Sequence, residues 1–104
     1  MAKYIIAHDV GTSLNKAVLV DTEGQVHGNC SDPYKVHYPK TDWAEQVPED
    51  WWNAVTRTTK LLLEESGVYP RDILCVTFST QMLGIVPIDS EGIPLRRAII
   101  WLDN

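Results

Sequence analysis

The chain has 104 residues, of which 44% are apolar and 22% charged, proportions that suit one folded unit with its own core and no need of a metal or disulfide staple. Nine basic against 14 acidic side chains leave a formal charge of -5, which argues against a partner such as nucleic acid or an anionic membrane. Two cysteines, Cys30 and Cys75, are too few for a disulfide framework, and no apolar run exceeds five residues. The expectation is a cytoplasmic protein in a reducing setting, with neither a transmembrane segment nor a secretory leader.

Residues 3–9 and 16–21 are β-branched and aromatic runs separated by a polar, glycine-containing connection, which predicts a hairpin. Asp21-Thr22-Glu23-Gly24 leads into a third strand over 25–29, and Asp89-Ser90-Glu91-Gly92 leads into 94–101. Both tetrads have the composition of a type I turn closed by glycine, so two hairpins are expected from shared turn chemistry and not from a sequence repeat. Residues 31–47 hold Pro33, Tyr34, Tyr38, Pro39 and Trp43 without a period and read as an irregular loop.

At Pro48 the pattern changes. Proline suits a first helical position, Glu49 and Asp50 complement the helix dipole, and Gly67 suits the residue after the last turn. Between them Trp52, Val55, Thr59, Leu62 and Leu63 recur at helical spacing, predicting one amphipathic helix. Residues 73–78 are apolar throughout, the signature of a strand covered on both faces, and 83–89 and 98–101 are two more strand candidates. Three hairpin-linked strands, a helix and a strand returning parallel to the first make an α/β fold with a mixed sheet and one long helix.

Three places could carry chemistry. In Asp9-Val10-Gly11-Thr12-Ser13 with Lys16, a carboxylate at a strand end can serve Mg²⁺, the glycine lets backbone approach a phosphate, two hydroxyls can donate to it, and the ammonium adds charge. In isolation the same residues also read as a polar hairpin turn. An aspartyl phosphatase would need a second acid at position 11, where glycine stands, and a nuclease would need a cationic face. In Thr80-Gln81-Met82-Leu83-Gly84 the amide can both donate to and accept from a polyol, although a plain connection reads the same way. In Trp101-Leu102-Asp103-Asn104 an indole ring beside a carboxylate and an amide suits a sugar face and its hydroxyls, and Trp is equally an ordinary core residue. His8, His27 and His37 have no metal-ligand spacing; His8 reads as a packing histidine and Arg96-Arg97 as a solvated pair.

These motifs, together with Trp43-Ala44-Glu45-Gln46 ahead of Pro48-Glu49-Asp50-Trp51-Trp52, stand in the order and spacing of the FGGY carbohydrate kinases, and the sequence most resembles their xylulokinase-like branch. The resemblance implies a ribonuclease H-like, actin-like ATPase fold and ATP-dependent phosphorylation of a sugar or polyol hydroxyl, with a ketose such as xylulose as acceptor. By the same resemblance Asp9 would serve Mg²⁺, Gly11, Thr12, Ser13 and Lys16 would surround the ATP phosphates, and Gln81, Met82, Trp101 and Asp103 would line the sugar pocket. Two positions depart from the pattern. Met82-Leu83-Gly84 stands where xylulokinases commonly show Met-His-Gly, and the Arg-Glu pair that follows this glutamine in glycerol kinases is missing. Family members are several times longer, which implies that residues 1–104 are an N-terminal piece of the first domain. The catalytic base is then expected downstream, leaving none in these residues. An apolar patch is expected to lie uncovered at Ile99-Ile100-Trp101, and a homodimer of the full-length protein remains open. The competing reading is an actin- or chaperone-like nucleotide switch, which would have no reason to keep the Gln81-Met82 and Trp101-Asp103 pairs.

Overall fold

The alternation of residues 4–10 becomes strand β1, Tyr4–Val10, in which Ile6, His8 and Val10 are buried while Asp9 is exposed. The computed structural model describes residues 2–103. Strand β2, Leu14–Asp21, runs antiparallel to β1 in a register that pairs Asp9 with Lys16 and Val10 with Asn15. Strand β3, Val26–Pro33, pairs antiparallel with β2. It runs four residues beyond its expected end because its partner begins at Leu14, opposite Pro33, and offers a ladder all the way.

Helix α1, Pro48–Ser66, opens on a proline with Glu49 and Asp50 in its first turn and ends where the Gly67 N–H reaches the Leu63 carbonyl at 3.0 Å. Its buried residues are Ala54, Val55, Thr58 and Leu62. The expected stripe is thus rotated: Trp52 is 64% exposed, because the small Ala54 and Thr58 let the helix lie close to the sheet. Leu62 completes the main core with Ile6, Ala17 and Leu19. A second core joins Ala44, Ala98 and Ile100, with Val36, Trp51, Val86 and Leu102 packed around it. It is framed by the two-stranded pairing of β4, Glu45–Gln46, with β6, Ala98–Ile99.

Between them strand β5, Ile73–Thr80, follows a short 3-10 turn and lies parallel to β1, so the main sheet has the order β3-β2-β1-β5. The fold class is therefore α/β with a mixed sheet and one long helix, as expected. Three details differ. The apolar strand β5 is not covered on both faces: Leu74, Val76 and Phe78 are 58%, 45% and 51% exposed, because α1 lies over β3 and β2 and reaches only part of β1. Residues 83–89 form no strand, only isolated pairings of Ile85 with Ile99 and Ile88 with Pro94. The expected patch at Ile99-Ile100-Trp101 is met only in part, since Ile100 is buried in the second core while Trp101 is 50% exposed. Exposed apolar side chains lie on β5 and also along the 82–95 segment, at Met82, Leu83, Ile85, Ile88, Ile93 and Leu95.

The two Asp-x-Glu-Gly turns fold alike. Asp21 Oδ1 accepts the N–H groups of Glu23 and Gln25, and Asp89 Oδ1 accepts those of Glu91 and Ile93. Each closes on a glycine with positive φ, Gly24 at 86° and Gly92 at 81°, a conformation that side chains with a Cβ rarely adopt. Among the described residues no helix is long and apolar enough to cross a membrane.

Candidate functional site

The connection between β1 and β2 is tightened by a hydrogen bond from the Gly11 N–H to the Leu14 carbonyl at 3.0 Å. A Cβ on Gly11 would meet that same carbonyl oxygen at 3.3 Å, so the turn has little room for a larger residue. The pairing of Asp9 with Lys16 sets both side chains on the sheet face away from α1, because their neighbours His8 and Asn15 are buried on the helix side. At the end of β5 the Gln81 N–H reaches the Val10 carbonyl at 2.8 Å and brings the 80–84 segment against the turn.

Asp9, Gly11, Thr12, Gln81, Met82 and Trp101 thereby line one open depression of ≈ 390 Å³. A neighbouring hollow of ≈ 450 Å³ is shared by Asp9, Lys16, Thr77 and Ser79. Of the residues singled out from sequence, these seven come together. Ser13 is exposed at the turn but lines neither hollow. Asp103 spends one carboxylate oxygen on the Ala44 N–H at 2.9 Å and also stays outside them. Asn104 lies outside the described residues.

Hydrogen bonds tie the two groups of residues to each other. The Trp101 indole N–H donates to Thr12 Oγ1 at 2.8 Å, which leaves the threonine its own proton for another acceptor. The Gln81 amide donates to Gln46 Oε1 at 2.8 Å and, at 3.4 Å, to the Gly11 carbonyl. Gln46 donates to the Thr12 carbonyl at 2.6 Å and accepts the Trp51 indole N–H at 3.1 Å. From β3's end, the Tyr34 hydroxyl donates to the Gly11 carbonyl and its N–H to the Ser13 carbonyl. Burial, helped by the Asp9 charge, pushes the Tyr34 phenol up to about 12, so it remains a donor at neutral pH.

Gln46, Trp51 and Tyr34 are site residues that sequence reasoning missed. Gln46 and Trp51 were visible as motif residues, but no local pattern says that a two-residue strand carries an amide to within hydrogen-bond reach of Thr12, 34 positions away.

Asp9 is exposed and its carboxylate has no hydrogen-bond partner among the described residues. No group of three or more His, Cys, Asp or Glu side chains could hold a metal among those residues. A hard cation at Asp9 would thus have one protein carboxylate, a donor set Mg²⁺ accepts when phosphates and water supply the remaining oxygens.

The model of the FGGY family of carbohydrate kinases, N-terminal domain, matches residues 4–104. A glycerol kinase of Rhizobium meliloti is 36% identical over 105 residues, which cover 100% of this chain and 21% of that relative. A xylulose kinase of Staphylococcus xylosus is 38% identical over 101 residues, 97% of this chain and 20% of that relative. Among solved structures, a gluconate kinase from Lactobacillus acidophilus superposes with a TM-score of 0.92 at 31% identity, covering 100% of this chain and 20% of the other. The ligand-bound xylulose kinase from the same organism gives 0.90 at 31% identity over 98% of this chain and 20% of the other. The chain spans about a fifth of the length of the relatives it matches. With a ribonuclease H-like, actin-like sheet and the model of the family's N-terminal domain matched from β1 to the last residue, the chain belongs to the FGGY family of carbohydrate kinases.

Proposed function

We propose that these residues are the N-terminal part of a kinase that transfers the γ-phosphate of ATP to a hydroxyl of a sugar or polyol, with a ketose such as xylulose as the acceptor. The observation that carries this reading is the shared depression: the Asp9, Gly11 and Thr12 side and the Gln81, Met82 and Trp101 side are adjacent and hydrogen-bonded to each other. Donor and acceptor of a transferred group must meet in that way.

In this reading the Gly11–Ser13 backbone and the Thr12 hydroxyl face the terminal phosphates, and Lys16 adds positive charge from the neighbouring hollow. Asp9 would hold the Mg²⁺ that neutralises charge developing on the transferred group. Trp101 offers a ring face to the acceptor's C–H groups, and Gln81 and Met82 border its hydroxyls. Met82-Leu83-Gly84 keeps a histidine away from the acceptor, so glycerol and gluconate belong beside xylulose in any test. The relatives named glycerol kinase and xylulose kinase support phosphorylation of a small hydroxyl compound and lend nothing to a nucleotide-switch reading. The base that takes the acceptor's proton is assigned to sequence beyond these residues.

The test is phosphorylation of a panel of ketoses, polyols and sugar acids by the full-length protein. ATP-dependent formation of one sugar or polyol phosphate is the expected result. ATP turnover indifferent to every acceptor, with a change of protein partner instead, would overturn it.

A further inference from the structure

Gln46 is 1% exposed and its side-chain amide has three partners, the Thr12 carbonyl, the Trp51 indole and the Gln81 amide. An indole nitrogen only donates and a peptide carbonyl only accepts, so Trp51 and Thr12 leave the Gln46 amide a single orientation. That orientation presents Oε1 to Gln81 and thereby selects the NH₂ end of the Gln81 amide, leaving Gln81 Oε1 buried without a partner. One side chain thus fixes the carbonyl of the phosphate-side turn and the rotamer of an acceptor-side residue at the same time.

We propose that Gln46 is a positioning residue that couples the two halves of the site, an inference that rests on the ligands assigned above. A hydroxyl compound seated against Gln81 and Trp101 displaces the donors held by Gln46 Oε1 and Thr12 Oγ1. A nucleotide phosphate at Gly11 and Thr12 pulls on the same two side chains from the other end. The affinity for each ligand therefore depends on the other, and by linkage the factor is the same in both directions. Trp51 enters only through the orientation of the Gln46 amide.

The experiment measures ADP·Mg²⁺ binding to the full-length protein by calorimetry, without and with a saturating acceptor taken from glycerol, xylulose and gluconate. The wild-type ratio of the two dissociation constants should depart from one by about fivefold or more, and Gln46→Met should bring it within about twofold of one. Trp51→Phe, which keeps the ring packing and removes one donor, should fall between them and carries the test if Gln46→Met does not fold. A wild-type ratio of one, or a variant ratio equal to the wild type, overturns the coupling. Hydrogen exchange at Gly11 and Gln81 needs no ligand and separates the two claims. Faster exchange at both amides in Gln46→Met supports the positioning role even if the protein binds neither ADP nor any acceptor, a result that would sink the proposed function alone. Unchanged exchange overturns the positioning role.

Discussion

His8 lies on the α1 side of β1 at 2% exposure, with Nε2 3.0 Å from the Thr59 hydroxyl and Nδ1 3.0 Å from the Asn15 amide nitrogen. Because that nitrogen of Asn15 can only donate, Nδ1 accepts and the proton sits on Nε2. Burial lowers the His8 pKa from its usual 6.5. A group depressed in the folded state contributes stability that is present above its unfolded value and lost as pH falls through the folded one. Urea unfolding followed from pH 7 downward should therefore show a loss of stability starting below about 6.5, and His8→Gln should lack that component. Equal pH slopes for the two proteins would show that the His8 pKa is not depressed in the fold. Tyr34 behaves in the opposite direction, its neutral form being favoured by burial. The ultraviolet titration should contain one phenol ionising near 12 that disappears in Tyr34→Phe.

Among the elements, the twin turns give a direct comparison. Gly24→Ala places a Cβ at a φ of 86°, at a cost of about 1–2 kcal/mol for the left-handed conformation, and thermal unfolding should register it. Leu62→Ala removes the helix's deepest contact with Ile6, Ala17 and Leu19 and should cost about 3 kcal/mol. A cost under roughly 1 kcal/mol would mean that the helix is not held by that core. These elements were legible because their signals are local: the Pro48 start, the Gly67 stop and the Asp-x-Glu-Gly turns each act within a few residues. The phase of α1 was less legible, since Ala54 and Thr58 are buried for their small size and not for their hydrophobicity. The strand β5 was legible as a strand but not as an exposed one, because an apolar run records what a segment needs covered and not what covers it. In the site, the Asp9–Lys16 hairpin could be read from sequence. The Gln46 bridge could not, as its three partners come from the β1–β2 turn, α1 and the end of β5.

At the scale of the molecule, the proposed reading gives the described residues a phosphate-side turn and an acceptor-side wall and assigns the base that takes the acceptor's proton elsewhere. The 104-residue chain alone should show no acceptor-dependent ADP release. The edge strand β5, with Leu74, Val76 and Phe78 half exposed, should make the isolated chain self-associate at high concentration. Sedimentation should detect this, and Val76→Lys should abolish it; a monomer at every concentration would contradict the expectation. The central claim, that Asp9 acts on the transferred phosphate beside an acceptor wall, is tested most directly by steady-state kinetics of Asp9→Asn in the full-length protein with the acceptor that it phosphorylates. Turnover should fall by on the order of a hundredfold while the acceptor KM stays within about threefold, since a metal-bound charge acts mainly on the transition state. An acceptor KM raised by the same factor at unchanged turnover would contradict the account.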